Sequence, residues 1–164
     1  MQRVSLRTVS INKRLIQKIS YTIGTACLLI LTIGFLSFSP GNRDNGKGIK
    51  FIEADWSKAL SEAKNQHKQI FLDAYASWCG PCKLLKKQTF PDPEAAAFFN
   101  ANFINVAINM EKGVGPALLE KYRITAYPTL LITDENGNLI TYTRGLIGPK
   151  DLIAFGKYGL KQAK

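Results

Sequence analysis

The chain has 164 residues, 46% of them hydrophobic, and a formal net charge of +10. This length excludes two full-sized domains but allows one domain with a real core and an appendage. Residues 1–20 hold five basic and no acidic residues, residues 41–50 three against one, and residues 51–164 fourteen against eleven. Because the excess charge flanks one apolar segment, it indicates membrane topology rather than nucleic-acid binding.

The apolar segment has its densest part at residues 21–38, YTIGTACLLILTIGFLSF. As a helix it would reach ~27 Å, close to the hydrocarbon thickness of a bilayer. More positive charges precede it than follow it, which favours a cytoplasmic N-terminus and an exported remainder. We therefore predict a basic cytoplasmic stretch at 1–20, a transmembrane signal anchor at 21–38 and an extracytoplasmic, periplasmic domain beyond it.

Two other interpretations of this segment stay open. Cleavage as a signal peptide would leave a secreted protein, and Ser37 and Ser39 have the required small size, although Pro40 would follow the cut. Lipidation of Cys27 is the third interpretation. Gly24 precedes that cysteine by three positions, where a large aliphatic residue is usual, so Cys27 is interpreted as a membrane-embedded thiol.

Residues 39–50 are rich in Gly, Asn, Pro and Ser and predict a flexible linker, followed by a folded domain at 51–164. Hydrophobic periodicity then predicts an alternation of helices and strands, with Asp55 capping the first helix and Asn136-Gly137 joining a hairpin. The predicted elements are helix 54–68, strand 69–76, helices 80–90 and 92–102, strand 103–109, helix 115–123, the hairpin 128–145 and helix 149–162. This order describes a three-layer α/β domain with a mixed sheet.

The stretch Cys79-Gly80-Pro81-Cys82 follows a buried strand and begins a helix. Residues three apart share a helix face, so the two sulfurs can form a disulfide. Unsatisfied N–H groups at the helix N-terminus stabilise a thiolate, which makes Cys79 the expected nucleophile. Cys82, expected to be more buried, would attack the mixed disulfide formed with a substrate. Pro81 suits the first helical turn.

Two further residues invite interpretation. Asp73 lies within an apolar run, six residues before Cys79. It is either a proton acceptor for the Cys82 thiol or an aspartate at a solvated strand end, and the residues alone leave both open. Pro128 opens a predicted strand, where a trans peptide bond is the commoner case.

Together, Asp73, the motif WCGPCK at 78–83 and Tyr127-Pro128-Thr129 resemble the thioredoxin superfamily, over residues 51–164. The opening helix is also similar to thioredoxin-like domains of exported thiol:disulfide interchange proteins, including the C-terminal domain of the membrane reductant conductor DsbD. The resemblance implies a thioredoxin fold, with a central mixed β-sheet flanked by helices. It also implies that Cys79 attacks, Cys82 resolves and Asp73 is the buried acid that transfers a proton.

For substrate binding, the resemblance implies that Trp78, Gly80 and Pro81 lie beside the disulfide. Pro128 would be a cis proline facing it, and Tyr127 would offer its backbone to an extended substrate segment. Two departures from the family stand out. Strand 103–109 lacks the lysine that accompanies the buried acid in thioredoxin itself, and the connection NMEKGVGPALLEKY is longer.

These features predict a membrane-anchored protein-disulfide oxidoreductase that uses no bound cofactor or metal. Its partners would be protein thiols and disulfides and a membrane electron donor. The Gly-Pro dipeptide resembles that of thioredoxin, which implies the reducing direction. Oxidation or isomerisation of disulfides is the alternative, and a tethered module binding apocytochrome or copper is another. A zinc site is disfavoured because His67, an expected exposed residue near a helix end, is the only histidine. Lys86 and Lys87 are interpreted as a solvated helix face.

Overall fold

The computed structural model describes residues 48–162. The predicted cytoplasmic stretch 1–20, the transmembrane segment 21–38, Cys27 and most of the linker 39–50 therefore lie outside the described residues. Between residues 48 and 162, no helix is both long and apolar enough to cross a membrane.

Each predicted helix and strand is present, with small changes at the ends. The elements are β1 Ile52–Glu53, α1 Trp56–Gln66, β2 Gln69–Tyr75, α2 Gly80–Leu84, a π-helical segment Leu85–Thr89, α3 Pro93–Asn102, β3 Phe103–Asn109, α4 Gly115–Lys121, β4 Thr129–Thr133, β5 Leu139–Arg144 and α5 Pro149–Gln162. Strand β1 was not predicted, because two residues are too few to show a period of two. The predicted helix 80–90 is α-helical only to Leu84 and continues as the π-helical segment.

The five strands form one mixed sheet in the order β1-β3-β2-β4-β5. Strands β1, β2 and β3 run parallel, β4 is antiparallel to β2, and β5 is antiparallel to β4. The parallel strands β2 and β3 are buried almost throughout, which explains their continuous apolar sequences. Their carboxyl ends lie at the same end of the sheet, and the chain leaves β2 there to enter the cysteine motif.

Helices cover both faces of the sheet, as the three-layer prediction requires. Alternation along β2 sends Ile70 and Leu72 into a core with α1 and α4, and Phe71 into a second core with α3 and α5. Leu85 of the π-helical segment is fully buried in the second core. The cysteine-bearing helix is therefore fixed to the sheet by its own continuation.

Aspartates fix two of the predicted boundaries. Asp55 caps α1, with its carboxylate accepting a hydrogen bond of 2.9 Å from the Lys58 N–H, as predicted. The hairpin between β4 and β5 is also present, but its turn depends on Asp134 as well as Asn136-Gly137. The Asp134 carboxylate accepts backbone hydrogen bonds of 2.8 Å from Asn136 and from Asn138.

Candidate active site

The two cysteines of the motif form a disulfide at the start of α2, with their Cα atoms 5.3 Å apart. Cys79 is the N-cap residue, and its Sγ accepts a hydrogen bond of 3.1 Å from the Cys82 N–H. This donor and the helix end favour negative charge on the Cys79 sulfur. Both cysteines are 2% exposed. We expected Cys82 to be more buried than Cys79, but in this disulfide state the two are equally buried. What distinguishes them is that Cys79 lies at the helix end.

The surface over the start of α2 is open. Gly80 and Pro81 are both exposed, and Pro81 lies in the first helical turn as predicted. A Cβ atom added at Gly80 would meet no atom within 4 Å. The backbone at Gly80, between the two cysteines, therefore faces open space.

Trp78 lies on the surface directly before the disulfide, with 67% of its area exposed. Its indole Nε1 donates a hydrogen bond of 2.8 Å to Glu111 Oε1. Its ring meets the Tyr127 ring edge to face, with centroids 5.9 Å apart. Glu111 was missed by the sequence analysis, although it belongs to the connection that had been noted as long. That connection brings a carboxylate to the rim of the site.

The peptide bond between Tyr127 and Pro128 is cis. The family resemblance implied this geometry, whereas the general frequency of X–Pro bonds favoured trans. Tyr127 packs against the buried cluster that contains Cys79 and Cys82. The Pro128 carbonyl accepts a hydrogen bond of 2.9 Å from the Gly145 N–H at the end of β5. This bond ties the loop before β4 to the end of β5, and Tyr127 of the same loop contacts the cluster that contains the disulfide.

Asp73 is 1% exposed in the middle of β2, so the solvated-strand-end interpretation is wrong. Neither carboxylate oxygen has a hydrogen-bond partner among residues 48–162. Burial raises the pKa of Asp73 to about 7, while the positive charge of Lys86 lowers it and the negative charge of Glu53 raises it. The carboxyl group can therefore gain or lose a proton near neutral pH.

The described part of the chain also contains the single histidine and other candidate metal ligands. Within residues 48–162, no group of three or more His, Cys, Asp or Glu side chains is arranged to hold a metal ion. His67 is exposed at the C-cap of α1, as predicted, with its Nδ1 atom 3.3 Å from Glu135 Oε2.

Comparison with known proteins identifies the family. The family model described as thioredoxin-like domain matches residues 56–160. The thiol:disulfide interchange protein DsbD of Haemophilus influenzae strain PittEE is 36% identical over 114 residues, which cover 67% of this chain and 19% of that protein. DsbD of Cronobacter sakazakii is 33% identical over 105 residues, covering 63% of this chain and 18% of that protein. The chain thus spans about a fifth of the length of these curated relatives.

Solved structures agree with this assignment. A proposed disulphide isomerase from Bacteroides thetaiotaomicron is 38% identical, with a TM-score of 0.63, covering 70% of this chain and 95% of that chain. The oxidised DsbD C-terminal domain of Neisseria meningitidis is 23% identical, with a TM-score of 0.56, covering 66% of this chain and 98% of that chain, and shares the fold. The chain has the thioredoxin fold and belongs to the family of thioredoxin-like domains, with homology to the C-terminal domain of DsbD.

Proposed function

We propose that the chain is a thiol:disulfide oxidoreductase that exchanges dithiol and disulfide with protein substrates through Cys79 and Cys82. The observation that carries this proposal is the disulfide at the start of α2, next to the exposed Gly80 and in a cluster against which Tyr127, the residue before the cis Pro128, packs. Homology to proteins named for thiol:disulfide interchange supports the same class of enzyme.

In the reducing direction, the Cys79 thiolate attacks one sulfur of a substrate disulfide. A Cys79–substrate mixed disulfide forms, and the other substrate sulfur leaves as a thiolate. Cys82 then loses its proton and attacks Cys79 Sγ, so that the mixed disulfide breaks and the second substrate sulfur is released. The substrate gains two electrons and the Cys79–Cys82 disulfide forms.

Asp73 is the proposed acceptor of the Cys82 proton, directly or through water. A group with a pKa of about 7 divides between its two protonation states at neutral pH, as a general base requires. Trp78, Gly80, Pro81 and Tyr127 form the proposed substrate-binding surface, with Pro128 facing the disulfide. The backbone of Tyr127 would pair with an extended substrate segment.

The reducing direction rests on the Gly-Pro dipeptide between the cysteines. A disulfide isomerase is the second candidate, favoured by the 38% identity to the Bacteroides protein described in those terms. A redox titration of Cys79 and Cys82 separates them. We expect a potential near the value of about −270 mV for thioredoxin; one near −180 mV would indicate isomerisation, and one near −120 mV oxidation.

Insulin reduction by the full chain with dithiothreitol tests the enzyme class against a binding module. We expect turnover by the wild type and none by Cys79→Ser, because the serine hydroxyl does not attack a disulfide at neutral pH. A wild-type protein without turnover that instead binds copper stoichiometrically would establish the binding-module alternative.

For cellular context, we propose anchoring by residues 21–38, a periplasmic catalytic domain and a membrane protein as electron donor. Cleavage before the domain would instead yield a secreted enzyme.

Cys82→Ala should stall the mixed disulfide, so that substrates and the donor can be isolated covalently attached to Cys79. Membrane fractionation of the same cells would locate the enzyme, and recovery in the soluble fraction would argue against the anchor.

A further inference from the structure

Lys86 lies one helical turn beyond Cys82, in the π-helical segment Leu85–Thr89. Its side chain is exposed, but its Nζ atom is 3.8 Å from the centroid of the Tyr75 ring, a cation–π contact. Tyr75 follows Asp73 by two residues on β2, so both side chains point to the same face of the sheet. The ammonium group is therefore held on the face of the sheet that buries the Asp73 carboxylate.

A carboxylate lies on the other side of Asp73. In the register of the sheet, Glu53 of β1 pairs with Ala107 of β3, and Ala107 pairs with Asp73 of β2. Register partners on adjacent strands point to the same face, so Glu53 lies on the same face as Asp73, two strands away, with the small side chain of Ala107 on the strand between them. The lysine that accompanies the acid in thioredoxin is absent from β3, where the register partner of Asp73 is the uncharged Ala107.

Among residues 48–162, the charges that act on Asp73 are thus the cation Lys86 and the anion Glu53. Leu130 of β4, its other register partner, carries no charge, and Tyr75 carries a neutral phenol. The direction of each effect agrees with this placement, because Lys86 lowers and Glu53 raises the pKa of Asp73. Burial raises the pKa of Tyr75, which keeps that phenol neutral at physiological pH.

We propose that Lys86 and Glu53 are positioning residues of opposite charge that set the pH range in which Asp73 takes the proton of Cys82. This inference rests on the proposed role of Asp73 in disulfide exchange. The proton moves from the Cys82 thiol to Asp73, and the resulting thiolate displaces the substrate sulfur from Cys79. Lys86 supplies, from the cysteine-bearing helix, the positive charge that β3 lacks.

The test compares Lys86→Met and Glu53→Gln in the full chain, with Lys87→Met as the matched control on the same segment. All three side chains are exposed, so the variants should fold. We expect the Asp73 midpoint, followed by ¹³C NMR of labelled aspartate carboxyls, to rise by at least a few tenths of a pH unit in Lys86→Met. It should fall in Glu53→Gln and stay in place in Lys87→Met. Asp73→Asn assigns the resonance.

The second readout is the pH profile of insulin reduction between pH 5 and 9. The pH at which the rate rises should move up in Lys86→Met and down in Glu53→Gln. Lys86→Arg, which keeps the positive charge, should retain the wild-type profile. A general structural disturbance would not produce shifts of opposite sign. Raising the ionic strength should shrink both shifts, because these side chains are in contact with solvent.

The outcomes separate this inference from the proposed function. If the wild type reduces no insulin, the proposed function fails. If it reduces insulin but Asp73→Asn leaves the pH profile unchanged, the role of Asp73 fails, and this inference with it. If Asp73→Asn changes the profile while Lys86→Met and Glu53→Gln do not shift it in opposite directions, the inference alone is overturned.

Discussion

At the scale of single residues, Asp73 is the most unusual side chain of the described domain. Its carboxyl group lies in the central strand with 1% exposure and no hydrogen bond from residues 48–162. An isolated buried carboxylate is unfavourable, so such a group is kept neutral more easily than charged. The position is therefore costly for stability at the pH at which the group would act as a base.

Replacing Asp73 should stabilise the oxidised protein in a pH-dependent way. The folded-state pKa of about 7 lies above the usual value of 3.8, so Asp73 favours folding most below pH 4 and progressively less as the pH rises through 7. A shift of this size corresponds to about 4 kcal/mol. Asp73→Asn should raise the free energy of unfolding at pH 8 by up to that amount and far less at pH 5, as measured by urea denaturation. An equal effect at both pH values would contradict the assigned pKa.

The contact of Glu111 with Trp78 predicts a smaller effect on activity. Glu111→Ala removes the acceptor of the indole N–H, and the loss of one hydrogen bond, about 0.5–1.5 kcal/mol, corresponds to about a twofold to tenfold slower reaction. Glu111→Gln keeps an acceptor oxygen and should be less affected. Insulin reduction rates test this, together with the indole ¹H–¹⁵N resonance of Trp78. The buried Trp56 is the internal control, and an unmoved Trp78 resonance in Glu111→Ala would refute the contact.

At the scale of elements, the active site depends on how segments are joined. The cysteine-bearing helix widens into a π-helical turn after Leu84, closed by a hydrogen bond of 2.9 Å from the Phe90 N–H to the Leu85 carbonyl. π-helical turns occur often at functional sites. This one contains both the exposed Lys86, which contacts Tyr75, and the buried Leu85, which fixes the helix on the sheet.

The junction between β3 and α4 also has no space for a side chain at Gly115. A Cβ atom added at Gly115 would lie 2.1 Å from the Asn109 carbonyl oxygen and 2.6 Å from Met110 Cα. Both neighbours are backbone, so Gly115→Ala should cost about 1–3 kcal/mol in the free energy of unfolding. Gly80→Ala is the control, since its added Cβ meets nothing within 4 Å and should change stability by about 0.5 kcal/mol or less. Denaturant midpoints that match for the two variants would argue against this close approach.

At the scale of the whole described domain, two cores on opposite faces of one sheet hold the site in place. The second core includes α3 and α5 and contains a chain of aromatic contacts through Phe71, Phe90 and Phe99. Asp73 lies on this same face of β2. Helices far along the chain therefore pack on the face of the sheet that carries the proposed base.

The contribution of the last helix, α5, to the second core can be measured. Leu152 of α5 is fully buried in the second core, so Leu152→Ala should cost about 2–5 kcal/mol in the free energy of unfolding. Lys150→Ala, at an exposed position of the same helix, should cost little. Thermal or urea denaturation of the oxidised protein provides the comparison. A loss below about 1 kcal/mol for Leu152→Ala would indicate that α5 is not part of the cooperative core.

Local sequence determined most of the secondary structure and the chemistry of the motif. Apolar runs, the Asp55 cap and the Asn136-Gly137 turn act between near neighbours, so helices and strands could be placed from the sequence alone. The spacing of Cys79 and Cys82 likewise permits a disulfide within one helical turn. The two-residue strand β1 escaped prediction because its only support is pairing with β3, which is distant in sequence.

Only the tertiary structure decided the electrostatic surroundings of the site. The fold buries Asp73, register across three strands places Glu53 on the same face of the sheet, and the π-helical segment brings Lys86 to that face through its contact with Tyr75. Glu111 reaches Trp78 from a connection 33 residues away. These effects depend on distances between residues that are far apart in the chain. The motif therefore fixes which atoms react, whereas the packing of the domain sets the pH at which the proposed base works.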